Sequence, residues 1–166
     1  MALEMMKEAS LDKILIIPTF TPPHKTAPDL ASGKDRLKMC ELLFSEECFE
    51  VSDLEIKREG KSYTVDTVSE LKKLYPDDEL FLIIGSDMLL SFHKWYRFED
   101  ILSEVTLSVA TREEEILPEV LSAYAKDTLK LSEDDYILSR MSSMECSSTE
   151  VRERVKNKEN LSDVLT

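Results

Sequence analysis

Five short segments of the chain carry residues of the kind that bind an anionic, ring-containing small molecule. They are residues 21–25 (TPPHK), 62–64 (SYT), 85–87 (GSD), 93–97 (HKWYR) and 147–152 (SSTEVR). Helix starts, basic side chains and aromatic faces are the groups that hold the phosphate, carboxylate and ring of such a ligand. Each segment also has an ordinary structural explanation, so the chemistry has to be inferred from their combination.

Two of these segments suit the anionic groups of a ligand. In residues 21–25, two prolines precede His24 and Lys25 and stiffen the backbone. Such a loop can hold a phosphate with little loss of conformational entropy, although a surface turn explains it as well. In residues 62–64, Thr64 either caps the following helix or helps that helix start to receive a carboxylate.

Two further segments suit a ribose and an aromatic ring. Gly85 lets a ligand approach the backbone closely, and Asp87 either caps the next helix or accepts hydrogen bonds from ribose hydroxyls. Trp95, the only tryptophan, either stacks on a pyridine ring or packs on the core or under a lid. The polar neighbours of Trp95 argue against deep burial.

The last segment, residues 147–152, opens a predicted helix. Its serines are ordinary helix caps, and an acid at Glu150 or Glu153 can close a capping box. A cap does not explain Arg152 on the first turn. Unpaired backbone N–H groups together with an arginine make a phosphate site.

The apolar pattern predicts the elements that must position these segments. Strands are expected at residues 13–18, 49–56, 79–84, 104–110 and 135–141. Helices are expected at residues 2–9, 34–44, 64–74, 113–126 and 147–157, with short helical pieces at 87–91 and 97–102. The inner side of the second helix is expected to carry Leu37, Met39, Cys40 and Leu43, and Pro118 is expected to interrupt the helix at 113–126.

Strands that alternate with helices predict an α/β fold, a parallel sheet with helices on both faces. Ligands bind such sheets beyond the carboxyl ends of the strands. The loops after Pro18, Ile84 and Ala110 are therefore expected to share one rim.

Composition limits the classes of function. The 166 residues, 42% of them hydrophobic, suffice for one domain with a sizeable core. A net charge of −13 disfavours nucleic-acid binding, whereas local basic clusters still permit an anionic mononucleotide. The apolar runs are too short to cross a membrane, and the start of the sequence predicts no secretion leader. Its three cysteines are expected to be reduced thiols in a cytoplasmic protein.

Taken in order, the motifs resemble those of bacterial nicotinate mononucleotide adenylyltransferases, which belong to the nucleotidyltransferase superfamily. The resemblance is carried by residues 22–25 (PPHK), Arg36, residues 62–67 (SYTVDT), residues 85–87 (GSD), Trp95 and residues 147–152 (SSTEVR). It implies a Rossmann-like fold and a reaction that uses Mg2+. In that reaction of NAD biosynthesis, ATP and nicotinate mononucleotide give nicotinate adenine dinucleotide and pyrophosphate.

The resemblance also implies roles for individual residues. It implies a mononucleotide site formed by His24, Lys25, Thr64, Gly85, Asp87, Trp95 and Tyr96. It implies an ATP-phosphate site formed by Ser148, Thr149 and Arg152. In the first site, His24 and Lys25 approach the phosphate. Thr64 and the backbone near Tyr96 hold the nicotinate carboxylate, and Trp95 stacks on the ring, with Gly85 and Asp87 along the ribose.

The resemblance extends from Leu3 to Asp163, as a single domain over residues 1–166 that is truncated at both ends. The family's first strand, with its glycine-rich turn and histidine pair, and the family's last residues are expected to lie outside residues 1–166. We therefore assign no catalytic residue and no protein metal ligand, and expect residues 1–166 alone to show no adenylyl transfer.

Other interpretations stay open at this point. The chain is alternatively a remnant that binds mononucleotide without using ATP, or another nucleotidyltransferase such as phosphopantetheine adenylyltransferase. The SYT segment and Trp95 favour the pyridine substrate. The sequence leaves open metal preference, the acid or amide form of the substrate, and whether the chain forms a homo-oligomer.

Overall fold

The structure is a computed structural model that describes residues 2–23, 30–112, 116–141 and 153–157. Its helices are α1 (Ala2–Glu8), α2 (Gly33–Leu43), α3 (Leu54–Arg58), α4 (Thr64–Leu74), α5 (Ser86–Leu89), α6 (Phe98–Leu102) and α7 (Pro118–Asp127). Its strands are β1 (Ile14–Ile16), β2 (Phe49–Val51), β3 (Phe81–Gly85), β4 (Thr106–Arg112) and β5 (Tyr136–Met141). Short 3-10 helices cover Phe92–Lys94 and Glu133–Asp135. Residues 153–156 are helical, and the predicted start of that helix lies outside the described residues.

Within these ranges the strands form two parallel sheets. β1 pairs with β2, and β3, β4 and β5 pair in that order. Because parallel neighbours need crossover connections, helices must lie between them along the chain. The predicted α/β fold with parallel strands and flanking helices is confirmed, although the described strands are divided between two sheets instead of forming one.

Helices cover both faces of the three-stranded sheet. The main core on one face contains the buried side chains Val65, Val68, Ile84, Leu89, Phe92, Ile101, Leu107, Val109, Leu121 and Leu129. On the other face, Met5 of α1 is fully buried in a small cluster with Ala110 and the partly buried Ile83. The neighbours Ile83 and Ile84 serve opposite faces because side chains alternate along a strand.

The second half of the predicted strand 49–56 is wrong. β2 ends at Val51, and the helix α3 begins at Leu54. In this helix Glu55 is buried, and it accepts a hydrogen bond from Thr67 on α4. This tertiary contact outweighs an alternating pattern that is compatible with a strand.

The predicted inner side of α2 is also wrong in part. Met39 and Leu43 are 63% and 75% exposed, whereas Leu37 and Cys40 are half-buried. α2 contacts β2, a strand of the narrow two-stranded sheet. A sheet of two strands covers only part of the apolar stripe of this helix.

Two element boundaries differ from prediction. Pro118 starts α7 instead of interrupting a helix, because the first helical position needs no N–H donor. β4 continues to Arg112, two positions beyond the predicted end at Ala110. Ala110 pairs with Gly85 at the end of β3. Within the described part of the chain, no helix combines the length and hydropathy that crossing a membrane requires.

Candidate functional site

The start of α4 is an open helix N-terminus. Tyr63 occupies the N-cap position and provides no side-chain hydrogen bond to the helix. Thr64 is the first helical residue, so the alternative in which Thr64 caps α4 is wrong. The first N–H groups of a helix have no intrahelical acceptor and carry the positive end of the helix dipole. The first turn of α4 also carries the carboxylate of Asp66, and the N–H of Asp66 donates to the carbonyl of Tyr63 at 3.1 Å. The donors that this end offers to an anion are therefore the N–H groups of Thr64 and Val65 and the hydroxyl of Thr64.

The loop after β1 lies beside this helix start. The Oγ of Ser62 accepts a hydrogen bond from the N–H of Phe20 at 2.9 Å, and the N–H of Ser62 donates to the carbonyl of Thr21 at 3.0 Å. Thr21 and Lys61 form a parallel bridge next to these contacts. Ser62 itself is only 6% exposed. The loop after β1 and the SYT segment, which are far apart in sequence, are therefore joined at the backbone.

An aromatic contact joins the SYT segment to the segment after α5. The ring centroids of Tyr63 and Tyr96 are 4.8 Å apart, at an interplanar angle of 46°. Tyr96 is 55% exposed, and Tyr63 packs against the main core. Two of the predicted mononucleotide-binding segments thus meet in the structure.

Trp95 lies at the margin of the core. Its ring stacks on the fully buried Phe92, with centroids 4.7 Å apart and an interplanar angle of 25°. Trp95 is half-buried, as its polar neighbours indicated. Trp95 therefore packs on the core through Phe92, as one of the two alternatives predicted. Stacking of Trp95 on a ligand stays a prediction. Its neighbour His93 shares a hydrogen bond with the hydroxyl of Tyr124 on α7.

Gly85 and Asp87 stand at the carboxyl end of β3. Gly85 is the N-cap residue of α5, and Asp87 lies within that short helix and is exposed. A Cβ atom at residue 85 would lie 2.7 Å from Oδ1 of Asp87, so the carboxylate lies directly over the glycine. Asp87 is the second residue of α5 and so is not its N-cap residue. The Asp87 carboxylate is therefore accessible to hydroxyl groups of a ligand.

Arg97 follows Trp95 and Tyr96 and is the last residue of the segment 93–97. It has a left-handed backbone, with a φ of 53°, which is uncommon for a residue other than glycine. Its Nε donates to Oδ2 of Asp100 at 2.5 Å, and this bond, with a smaller contribution from Asp66, raises the pKa of Arg97. The guanidinium of Arg97 is therefore paired with the carboxylate of Asp100 on α6.

Several predicted site residues lie outside the described part of the chain. They are His24, Lys25, Ser148, Thr149 and Arg152. Their assignments stay predictions. Among the described residues, no cluster of three or more His, Cys, Asp or Glu side chains has the arrangement of a metal site.

Sequence reasoning missed a buried polar network behind the start of α4. The hydroxyl of Thr67 donates to Oε1 of Glu55 at 2.5 Å and accepts from Nη2 of Arg58 at 2.9 Å. Nη1 of Arg58 donates to Glu70 at 2.9 Å. Arg58 is therefore paired within the protein. Glu55 lies in a stretch whose alternating pattern predicted a strand, so no signal in the sequence could have revealed this network.

The fold and the segments at its edge belong to a recognisable class of protein. The cytidylyltransferase-like family model matches residues 1–154, and the chain belongs to this family. Individual relatives carry a more specific name than the family does. A probable nicotinate-nucleotide adenylyltransferase of Clostridium tetani is 32% identical over 165 residues, which are 99% of this chain and 82% of that protein.

Two further comparisons agree. A probable nicotinate-nucleotide adenylyltransferase of Shouchella clausii is 45% identical over 112 residues, which are 67% of this chain and 58% of that protein. The solved structure of Plasmodium falciparum nicotinic acid mononucleotide adenylyltransferase complexed with APC superimposes with a TM-score of 0.69. That match covers 98% of this chain and 80% of the other at 17% identity, and at this identity it supports the fold alone.

Proposed function

We propose that this chain binds nicotinate mononucleotide and serves in the transfer of the adenylyl group of ATP to it. The products are nicotinate adenine dinucleotide and pyrophosphate, in the cytoplasmic synthesis of NAD. One observation carries the proposal: the open start of α4 at Thr64 lies next to the Tyr63–Tyr96 contact, in a chain whose relatives are named nicotinate-nucleotide adenylyltransferases.

The start of α4 is suited to the nicotinate carboxylate. In this proposal the N–H groups of Thr64 and Val65 and the hydroxyl of Thr64 donate to the carboxylate, and the helix dipole favours a negative charge at this end. Hydrogen bonds to an ionised acceptor are roughly twice as strong as neutral ones. The site therefore binds nicotinate mononucleotide, which carries the carboxylate, more tightly than the mononucleotide that carries the amide.

The rest of the mononucleotide extends from this point. Trp95 and Tyr96 supply aromatic surface for the pyridine ring, because Tyr96 contacts Tyr63 and Trp95 directly precedes it in the chain. The exposed carboxylate of Asp87 over Gly85 accepts from the ribose hydroxyls. His24 and Lys25 take the phosphate, an assignment that depends on the motif resemblance.

Adenylyl transfer requires that the mononucleotide phosphate attack the α-phosphorus of ATP in line. Ser148, Thr149 and Arg152 hold the ATP phosphates in this proposal, so the protein contributes positioning and charge stabilisation. A divalent cation accompanies the ATP, and we propose Mg2+.

Isothermal titration calorimetry of residues 1–166 tests the proposal. Nicotinate mononucleotide should bind, the amide mononucleotide should bind at least several-fold more weakly, and phosphopantetheine should not bind. Equal affinity for the two mononucleotides would refute the carboxylate site, and binding of phosphopantetheine alone would favour the other nucleotidyltransferase. Pyrophosphate release from ATP, measured on the same samples, separates binding from turnover.

A further inference from the structure

Arg36 makes an unusual pair of contacts for a charged residue on a surface helix. From α2, its Nε donates to the carbonyl of Ala31 and its Nη2 donates to the carbonyl of Phe20, each at 3.0 Å. Phe20 and Ala31 lie on the two sides of the loop that follows β1. One guanidinium therefore holds both ends of that loop at a fixed separation, since its donors form a rigid planar fork.

The Phe20 backbone is also held from the other side. Its N–H donates to Oγ of the buried Ser62, whose own N–H donates to the carbonyl of Thr21. Arg36, Phe20 and Ser62 thus form a continuous chain of hydrogen bonds. This chain connects α2 to the residue immediately before Tyr63 and Thr64.

We propose that Arg36 is a positioning residue for the mononucleotide site. By holding Phe20, Arg36 fixes Ser62 and so the placement of the open start of α4. The choice of nicotinate mononucleotide as the reporting ligand rests on the proposed function; the mechanical link from Arg36 to Ser62 does not. A misplacement of about 1 Å in a positioned binding group can cost as much as roughly 100-fold in function.

Arg36 contributes little to the core, so its loss is separable from unfolding. No residue of α2 is buried, and Arg36 itself is half-buried. Its replacement removes two hydrogen bonds to backbone carbonyls and leaves the main core untouched. A purely structural role would therefore appear as a lower melting temperature with an unchanged binding site.

The experiment compares Arg36→Met and Arg36→Lys with a control, Lys38→Met, on the same helix. Lys38 is exposed and pairs with Glu41 one turn further along the surface of α2. For Arg36→Met, we expect amide hydrogen exchange at Ser62 to accelerate about tenfold and the dissociation constant for nicotinate mononucleotide to rise about tenfold, within the range for a misplaced group. Arg36→Lys should recover part of both effects, because lysine can still reach one carbonyl, and Lys38→Met should change neither.

A double-mutant cycle with Ser62→Ala tests the route of the effect. If Arg36 acts through Phe20 and Ser62, Arg36→Met should raise the dissociation constant less than about twofold once Ser62→Ala is in place. Effects that multiply independently would contradict the inference. Unchanged Ser62 exchange in Arg36→Met would overturn it regardless of ligand. Faster exchange in a protein that binds no nicotinate mononucleotide would confirm the link from Arg36 to Ser62 and reject the proposed function, and with it the role of Arg36 at that site.

Discussion

Tyr63 and Tyr96 place their rings 4.8 Å apart, and this contact joins two surface segments that come from different parts of the chain. Tyr63 precedes the open start of α4, and Tyr96 follows Trp95 beyond α5. The contact gives the helix start and the aromatic segment a fixed relation to each other. A ligand with a charged group attached to a flat ring matches this arrangement, because its charge meets N–H donors while its ring meets aromatic surface.

The first prediction concerns Trp95. Trp95→Ala should raise the dissociation constant for nicotinate mononucleotide about two- to tenfold, because an aromatic stack contributes roughly 0.5–1.5 kcal/mol beyond area burial. Binding of ATP should change little. Calorimetric titration with each nucleotide measures both effects.

Phe92→Ala is the matched comparison for Trp95, since the two rings stack on each other and Phe92 is fully buried. Truncating a buried phenylalanine costs about 3–5 kcal/mol of stability. Trp95→Ala should have a much smaller effect on the melting temperature than Phe92→Ala. If Trp95→Ala destabilises the protein as strongly and leaves mononucleotide affinity unchanged, Trp95 is a core residue only.

The second prediction concerns Thr64. Thr64→Val keeps the side-chain shape and removes one hydroxyl donor at the start of α4. A hydrogen bond to a charged group contributes about 1.5–3 kcal/mol, so affinity for nicotinate mononucleotide should fall about tenfold or more. The amide mononucleotide should lose less. Thr128→Val, at the exposed end of α7, is the control and should bind like the wild type. An equal loss for acid and amide would show that Thr64 does not recognise the carboxylate.

Local sequence patterns predicted the elements whose periodicity agrees with their final environment. α4 has the predicted bounds, because the apolar residues Val65, Val68 and Leu71 recur at helical spacing and the first two are buried. The alternating pattern after β2 was misleading because a single contact between Glu55 and Thr67 selects a helical turn there. Such a contact depends on tertiary structure that no short window encodes.

The same limit applies to the candidate site. Residue types at Thr64 and Trp95 pointed to a ligand, and the structure brings their segments together through Tyr63 and Tyr96. The link from Arg36 through Phe20 to Ser62 could not be predicted, because it consists of side-chain contacts to backbone atoms distant in sequence. The motif at Arg36 was visible in the sequence, but its role was not.

The third prediction concerns the network of Glu55, Arg58 and Thr67. Thr67→Val leaves a buried oxygen of Glu55 without its hydroxyl donor, in addition to the oxygen Oε2, which has no partner among the described residues. An unsatisfied buried group costs about 1–3 kcal/mol, and chemical denaturation should show a loss of this size. Lys57→Met is the control, since Lys57 pairs with Asp53 at the surface and such pairs contribute little. Equal stability of Thr67→Val and the wild type would show that the network contributes nothing.

A separate capping box starts the 3-10 helix Glu133–Asp135. The hydroxyl and the N–H of Ser132 each donate to Oδ2 of Asp135 at 2.7 Å. These hydrogen bonds favour the charged carboxylate and lower the pKa of Asp135 below its ordinary value of 3.8. The folded state therefore holds the proton of this group less tightly than the unfolded state does.

The last prediction follows from that difference. Because the folded-state pKa is the lower one, the contribution of Asp135 to stability is complete above about pH 4 and is lost as the pH falls through the folded value. Asp135→Asn should slightly lower the melting temperature at pH 7, because the hydroxyl and N–H of the N-cap residue Ser132 then lose their charged acceptor. Near pH 2 it should melt like the wild type. Asp134→Asn, next to it and exposed, is the control for the change in charge. A deficit in Asp135→Asn that is the same at both pH values would show that the charged hydrogen bonds to Ser132 do not stabilise the fold.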